Sequence, residues 1–377
     1  MISGMNEECK KVIRDIFSNS GYDVMFLSYN SLEDENDWRK FCNNIEYLPV
    51  KYTWTDLKYQ ASYTACFNDE VFNYLLLIKQ NNKIVAGWPI TIINVLKDKY
   101  KICTNSGCLL EPIFVNNISE KIKSKIDNLC MEILLKFAND KKFTNTVHLS
   151  HRFYPIKLNY PWYRKIMELG GKAYVVNECF VDLGLSMPVI MQSFRKSYRS
   201  LINYGNKNFE IKIKKNMSKE HFIDLKNMHI EVAGRQTRSD ETWNIQLDAI
   251  NTGDILAAEI YDSNKMIGYG LFSLSKDECC YGVGVFDRTL FDMPISHFLQ
   301  SEIIKYLKNN TSVKYYYIGQ RMYEGDYRKP TEKELSISYF KEGFATHSEI
   351  NIETILSVTR KGEECDFSNS TGEKFIE

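Results

Sequence analysis

A lysine at position 341 lies in a short pattern of aromatic residues and glycine that predicts a site at the mouth of a strand. It directly follows Tyr339 and Phe340, and Gly343 and Phe344 come two and three residues later. In a cleft with little water, an ammonium group stabilises the oxyanion that forms when an amine attacks an acyl carbonyl. We therefore predict Lys341 as the leading catalytic residue, with a surface lysine ahead of a glycine turn as the alternative.

Further polar residues follow a predicted strand at the end where clefts of α/β folds tend to open. Arg321 and Glu324 lie there, and we predict both to be catalytic, with Glu324 as the general base that takes a proton from the attacking amine. Tyr281 is predicted as another catalytic residue and His297 as a substrate-binding residue. Both compete with Glu324 for the role of base, as does Asp287.

Two arginines four residues apart, Arg195 and Arg199, lie in a segment with helical spacing at residues 189–204. Residues four apart share a helix face, so the pair is predicted to grip a phosphate of the substrate. This is also the most basic stretch of the chain, where an RNA backbone would have to dock. A solvated helix face is the alternative, and the sequence favours it over tRNA binding.

Residues 234–243 carry two arginines, two acids and a tryptophan, which is typical of a pocket wall. Arg235 and Arg238 are predicted to bind a carboxylate or phosphate of the acceptor, with Glu241 beside them, and Trp243 to offer a stacking face for a sugar ring. A capped helix with a surface Arg–Glu pair is the alternative.

Several other chemistries lack their usual motifs. The six histidines and ten cysteines form no set with metal-ligand spacing, so we predict no metal. No Walker loop, Rossmann glycine fingerprint or serine elbow occurs. The glycine-rich loop with which many acetyltransferases hold the diphosphate of coenzyme A is also missing from residues 287–297.

Two segments, residues 194–202 and 338–346, resemble those of the Fem-like (FemABX-type) peptidyl and acyl transferases, which are built from two GNAT-like domains. That family typically shows Phe-Lys-x-Gly-Phe before its last strand, here residues 340–344. The resemblance covers most of the second half of the chain and only faintly the first. It implies an acyltransferase that takes its acyl group from acyl-CoA, or from charged tRNA as the alternative.

The chain length predicts two domains, because a single core rarely grows to 377 residues. A hairpin predicted at residues 74–90 returns at residues 255–272, which favours a duplicated domain. We expect an α/β (α+β) fold with two GNAT-like domains, residues 1–185 and 186–360, each a mixed, mostly antiparallel sheet flanked by helices. Residues 361–377 are predicted to be a loose tail.

Charge and hydropathy limit the partners. The chain has 48 basic and 48 acidic residues, so no net field draws a polyanion. No export signal or membrane span is indicated, and we expect a soluble cytoplasmic protein whose oligomeric state the sequence leaves open. Tyr52, Trp54 and Tyr59 are predicted to form the first domain's wall of the cleft.

The predicted function is N-acyl transfer to an amine of a cell-surface glycan precursor, such as a nucleotide-linked amino sugar. Two alternatives stay open at this point. One is peptidyl transfer from aminoacyl-tRNA in peptidoglycan bridge formation, and the other is a non-catalytic GNAT scaffold that binds a glycan or a partner protein.

Overall fold

A computed structural model describes residues 2–96, 99–105, 107–151 and 161–360, so the predicted tail at 361–377 lies outside the described residues. The helices are α1 (Ile2–Ser18), α2 (Leu32–Asn43), α3 (Trp54–Ala65), α4 (Glu120–Asn139), α5 (Pro161–Glu168), α6 (Met187–Ser193), α7 (Tyr198–Asn208), α8 (Lys219–Ala233), α9 (Asp240–Thr252), α10 (Ile295–Asn310) and α11 (Glu332–Glu342). The strands are β1 (Asp23–Leu27), β2 (Val71–Gln80), β3 (Lys83–Leu96), β4 (Lys99–Cys103), β5 (Leu109–Leu110), β6 (Ile113–Phe114), β7 (Thr146–His151), β8 (Lys172–Asp182), β9 (Glu210–Lys214), β10 (Ile255–Asp262), β11 (Lys265–Leu274), β12 (Glu278–Phe286), β13 (Tyr315–Arg321) and β14 (His347–Ser357). No helix among these residues is long and apolar enough to cross a membrane.

Both predicted hairpins form, and they share their details. A two-residue loop joins β2 to β3, and its residues Asn81 and Asn82 have φ values of 50° and 61°, a conformation that asparagine tolerates better than most side chains. A loop of the same length joins β10 to β11. Each hairpin has a bulge just before its loop, after Ile78 in the first and after Ile260 in the second. This shared design, about 182 residues apart, supports the prediction of a repeat.

The chain divides into two compact units, and the described residues of the first are 2–47, 63–96, 99–105, 107–151, 161–175 and 351–360. Its strands β1 to β4 form an antiparallel sheet in chain order, with β6 beside β3. Strand β5 pairs parallel with β7, which pairs antiparallel with the end of β14. Apolar residues of α1 and α4 pack with those of the sheet around the buried rings of Trp88 and Trp162. Nonpolar burial of this extent is the main stabilising contribution to such a unit.

The second unit comprises residues 48–62 and 176–350. Its strand order is β8, β13, β12, β11, β10, β9, and every neighbouring pair is antiparallel except β12 and β13. This parallel pair is short, because only residues 278–280 and 315–317 are in register. Beyond them β12 continues against β11 and β13 against β8. Strands β12 and β13 are therefore hydrogen-bonded to each other over only part of their length. Beyond residues 280 and 317, both of which lie in the described part of the chain, a gap separates the two strands.

Two predictions need correction. The segment at residues 189–204 is two helices rather than one, because the extended backbone of Phe194 ends α6 and α7 begins at Tyr198. Tyr52, Trp54 and Tyr59 lie in the second unit, so they form no wall of the first. A compact unit is defined by its contacts and does not by itself mark where a repeated domain begins, so the predicted boundary after residue 185 stays a prediction.

Candidate active site

The two sequence segments that suggested the Fem-like resemblance contact each other in the second unit. The backbone N–H of Arg195 donates to the carbonyl of Gly343 over 2.8 Å. Nη2 of the same arginine donates to the carbonyl of Tyr339 over 3.0 Å. The rings of Phe194 and Phe344 pack edge to face with centroids 5.2 Å apart. The turn between α6 and α7 is therefore fastened to the end of α11.

Close packing explains why residue 343 is a glycine. A Cβ atom at this position would lie 2.2 Å from Cε2 of Tyr198, whose ring occupies that space. The hydroxyl of Tyr198 donates to the carbonyl of Phe340 over 3.2 Å and accepts from Nη1 of Arg195 over 2.8 Å. The glycine of the Phe-Lys-x-Gly-Phe pattern thus lets an aromatic ring pack against the helix end.

The carboxylate of Glu342 lies between two of the predicted arginines. Its Oε2 is 3.2 Å from Nε of Arg321 and 3.6 Å from Nη2 of Arg195. Arg321 also donates from Nη1 to the carbonyl of Met322 and to Oγ of Ser338, the latter over 3.1 Å. Both guanidinium groups are therefore already engaged within the protein, which suits them to positioning rather than to free anion binding.

Lys341 is different, because its ammonium group makes no hydrogen bond or ion pair with any described residue. The half-buried side chain lies across Gly319 of β13, where an added Cβ would be 2.9 Å from both Cδ and Nζ of the lysine. Nζ is also 6.0 Å from the centroid of the Tyr281 ring on β12. Lys341 thus places an unpaired positive charge between the two strands that part from each other.

Tyr281 and His297 are both neutral, and His297 contacts Phe340, the residue before Lys341. Burial raises the pKa of Tyr281, so its phenol stays protonated, and its ring stacks on Phe272. The imidazole of His297 packs edge-on against Tyr198 at 4.5 Å and against Phe340 at 5.0 Å. Burial, helped by the charge of Arg195, lowers the pKa of His297 to about 4. Its Nδ1 is buried and has no hydrogen-bond partner among the described residues.

Glu324 and Arg199 are exposed. Glu324 lies in the loop between β13 and α11. Arg199 lies on α7 and donates from Nη2 to the carbonyl of Gln192 over 3.3 Å, beside an open cavity of about 460 Å³ between α6 and α7. Arg195 precedes α7, so the prediction that the two arginines share one helix face is wrong.

The residues predicted as a pocket wall separate into an exposed and a buried pair. Arg235 and Glu241 are exposed, whereas Arg238 and Trp243 are 6% and 2% exposed. The guanidinium carbon of Arg238 lies 3.7 Å from the Trp243 ring centroid. The sequence analysis predicted that Trp243 offers a stacking face for a sugar ring. In the structure this ring is buried, so it has no exposed face for such stacking.

The start of α10 does not fit the diphosphate of coenzyme A. Pro294 there has no N–H group to donate, and the Asp287 carboxylate precedes it. Hydrogen bonds from Lys265 and Thr289 hold the pKa of Asp287 at about 2, so this carboxylate is ionised and pairs with the ammonium of Lys265 over 2.9 Å. The low pKa also makes Asp287 a weak base. No cluster of metal-ligating side chains occurs among the residues that the structure describes.

Sequence reasoning missed three residues of the site: Gly319, Tyr198 and Glu342. Glu342 lies inside the quoted pattern, and its position next to Lys341 in an arginine-rich group was a signal for an ion pair. Gly319 gave no signal, because its role depends on the path of a side chain 22 residues later.

The fold of this chain is similar to that of solved proteins of low sequence identity. It matches the crystal structure of FemX with a TM-score of 0.63 at 11% identity, covering 89% of this chain and 97% of that one. It matches L-PGS from Bacillus licheniformis with a TM-score of 0.55 at 11% identity, covering 87% and 92%. A conserved protein of unknown function from Bacteroides thetaiotaomicron VPI-5482 matches with a TM-score of 0.54 at 9% identity, covering 88% and 100%.

No protein family and no curated protein matches the sequence itself. The structural matches extend over nearly the whole chain, so the predicted Fem-like fold with two GNAT-like domains is confirmed. Identities near one residue in ten show the fold alone.

Proposed function

We propose that the chain is an N-acyltransferase that moves an acyl or aminoacyl group onto an amine of a cell-surface glycan precursor, such as a nucleotide-linked amino sugar. The observation that carries this proposal is the unpaired ammonium of Lys341 between Gly319 and Tyr281. A fixed cation of this kind stabilises a carbonyl oxygen that becomes negative during the reaction. The fold shared with FemX supports this chemistry.

Direct transfer accounts for the residues present. The amine nitrogen attacks the carbonyl carbon, the oxygen takes up negative charge beside Lys341, and the bond from that carbon to the donor's leaving atom breaks as the amide forms. One proton leaves the amine, and Glu324 in its exposed loop is the proposed acceptor. Arg195 and Arg321 hold the end of α11 through Glu342 and so position Lys341.

A covalent intermediate on a nearby cysteine is not part of this proposal. Cys179 on β8 is fully buried, and its burial raises the pKa of the thiol. A thiol that stays protonated is a poor nucleophile.

The donor is acyl-CoA or a charged tRNA. Residues 287–297 lack the glycine-rich loop, and Pro294 at the start of α10 has no N–H to donate, which counts against a diphosphate there, so we derive no step through coenzyme A. This observation favours aminoacyl-tRNA-dependent peptidyl transfer in peptidoglycan bridge formation as the second candidate function.

Replacement of Lys341 tests the proposal. The full chain is incubated with acetyl-CoA or with charged tRNA and a UDP-linked amino sugar, and the loss of free amine is followed. We expect Lys341→Met to lower kcat about 10²- to 10³-fold, the usual cost of removing one oxyanion donor. Lys333→Met removes an exposed lysine of the same helix and is expected to leave the rate unchanged.

Two outcomes would count against transfer at this site. Equal rates for the wild type and Lys341→Met would remove the lysine from the chemistry. Retained binding of the sugar without any transfer, and without any effect of replacing Lys341, Arg321 or Glu324, would favour the non-catalytic scaffold.

A further inference from the structure

Arg238 is a buried cation, and at least three of the five N–H bonds of its guanidinium group have no acceptor among the described residues. It lies between α8 and α9 and is 6% exposed. Its Nη1 donates to the hydroxyl of Tyr59, and the face of its guanidinium stacks on Trp243. Its Nε and Nη2 are buried and have no hydrogen-bond partner among the described residues. Burying a charge without a partner is strongly destabilising. An anion bound next to Arg238 would compensate this charge.

The two nitrogens of Arg238 without partners among the described residues lie on the same edge of the guanidinium group. Nε and Nη2 form the side edge of a guanidinium group, whose two parallel N–H bonds match the two oxygens of a carboxylate. The stacking on Trp243 and the bond to Tyr59 fix the plane of the group, so this edge is held ready. A fixed fork loses little entropy when it binds.

Two neighbouring ring nitrogens also lack partners among the described residues: the indole N–H of Trp243 is a donor, and Nδ1 of His229 is a donor in one of the two tautomers of the neutral ring. Both nitrogens are buried. The ring of His229 lies edge-on to that of Trp243, with centroids 5.2 Å apart. Burial, followed by the charge of Arg238, lowers the pKa of His229 to about 4, so this imidazole is neutral near pH 7.

The carboxylates of the same segment do not neutralise Arg238. Asp240 is ion-paired with Lys226 over 2.6 Å. Glu241 is exposed. The buried group thus carries a single positive charge from Arg238. A monoanion neutralises this charge, whereas a doubly charged phosphate would leave an excess negative charge in a buried place.

We propose that Arg238, Trp243 and His229 form a binding site for a carboxylate monoanion, with the Nε–Nη2 edge of Arg238 as its receptor. If the proposed transferase function holds, this carboxylate belongs to one of its substrates. The binding itself does not depend on that function.

Thermal unfolding of the full chain tests the proposal with simple probes. Acetate, inorganic phosphate and chloride are compared at pH 8, where most of the phosphate is doubly charged, and at equal ionic strength, over a range of concentrations. Acetate is expected to raise the midpoint of wild-type unfolding in a saturable way and by more than phosphate or chloride, because a ligand of the native state stabilises it. The indole N–H resonance of Trp243, assigned with Trp243→Phe, is expected to shift with the same saturation curve.

Substitutions distinguish a receptor from a structural arginine. Arg238→Met is expected to abolish both responses to acetate and to raise the midpoint in chloride, because it removes an unpaired buried charge. Arg238→Lys keeps the charge without the fork and is expected to lose most of the acetate response. Arg288→Met, which removes an exposed arginine of the same unit, is expected to keep the response in full.

Several results would overturn the proposal. These are the absence of an acetate response in the wild type, its persistence in Arg238→Met, a stronger response to phosphate, or a lower midpoint of Arg238→Met in chloride. Lys341→Met is expected to respond to acetate like the wild type. Failure of the transferase assay and failure of this site can therefore be told apart.

Discussion

At the scale of single residues, the charges near Lys341 have different tasks. Arg195 and Arg321 share the carboxylate of Glu342, while the lysine next to it in the chain has no such partner. The carboxylate compensates the arginines, and the ammonium of Lys341 is the charge that we propose stabilises a reacting oxygen. A lysine presents that charge at one point on a flexible stem, so its position depends on what the stem lies against. Here the stem lies against Gly319.

Gly319→Ala is expected to damage both stability and activity. Its φ of 138° is a backbone conformation that L side chains rarely adopt, and the new methyl group would meet Cδ and Nζ of Lys341. We expect the free energy of unfolding to fall by about 1–3 kcal/mol, the usual cost of such strain. We also expect the transfer rate to fall, because the lysine must move. Denaturant unfolding and the amine-loss assay measure the two effects.

Gly282→Ala is the matched control for stability. Gly282 lies on the neighbouring strand β12, and its added Cβ would make only an ordinary contact with the carbonyl of Leu271 at 3.5 Å. Its free energy of unfolding should stay close to that of the wild type. Equal stability of both alanine variants would mean that the backbone at Gly319 is not strained.

The sequence singles out Lys341 as a candidate, and its catalytic role stays a prediction, whereas the surroundings of the lysine could not be predicted. The lysine is part of a short pattern, and a pattern is visible without coordinates. The unpaired state of its ammonium depends on Glu342 turning toward the arginines, and the burial of Trp243 depends on a stacked Arg238. Such choices between partners follow from the packing of several elements, which residue types alone do not determine.

At the scale of elements, α11 and the turn between α6 and α7 act as one piece. The bonds from Arg195 and Tyr198 go to backbone carbonyls at the end of α11, so they fix the helix itself. Phe344 is fully buried beside Phe194 and Tyr198. The proposed catalytic lysine is thus positioned by an element some 140 residues earlier in the chain.

A double-mutant cycle at Gly343 and Tyr198 measures this coupling. Gly343→Ala alone is expected to destabilise the protein by about 1–3 kcal/mol, because the methyl group overpacks against the tyrosine ring. Tyr198→Leu alone removes a buried ring and its hydrogen bonds, and is also destabilising. Combined, they should cost less than the sum, because the smaller side chain leaves room for the methyl group. Denaturant titrations give the free energies of unfolding of the wild type, the two single variants and the double variant.

One result of this cycle would contradict the predicted coupling. Strict additivity of the two substitutions would mean that the close approach of Tyr198 to Gly343 does not determine the packing at this helix end.

Local patterns predicted the hairpins but not the partners of every segment. The two asparagines at the first loop and the alternation around both loops are local signals, and both hairpins form. Residues 48–62 carry no local mark of the unit to which they belong. Their backbone and side chains bond to distant acids, as when the N–H of Leu48 donates to Asp277 over 3.0 Å. Contacts so far apart in sequence cannot be read from periodicity.

At the scale of the whole molecule, buried ionisable groups in both units make stability depend on pH in opposite ways. In the first unit, burial raises the pKa of Asp127 to about 7, although Trp162 donates to its carboxylate over 2.7 Å. In the second unit, the pKa of His297 falls to about 4. Each buried group favours its neutral form in the folded state.

The signs follow from linkage. The contribution of Asp127 to stability is lost as the pH rises from about 4 to about 7, because the folded protein holds a proton that the unfolded chain has released. The contribution of His297 is lost as the pH falls from about 6.5 to about 4, because the unfolded chain then takes up a proton first. Asp56, which burial raises to a pKa of about 7, acts in the same direction as Asp127. The pH dependence of the wild-type free energy of unfolding therefore combines contributions of opposite sign. Single substitutions are needed to separate them.

Asp127→Asn and His297→Gln are expected to change the pH profile in mirror fashion. Relative to the wild type, Asp127→Asn should gain stability steadily from pH 4 to 7 and level off above, because its amide oxygen still accepts from Trp162 and no longer ionises. His297→Gln should gain relative stability as the pH falls from 6.5 to 4. Denaturant unfolding at several pH values gives both difference curves, in which any packing cost is a constant offset and only the slope reports ionisation. A flat difference curve for either variant would mean that its group titrates in the folded protein much as it does in the unfolded chain.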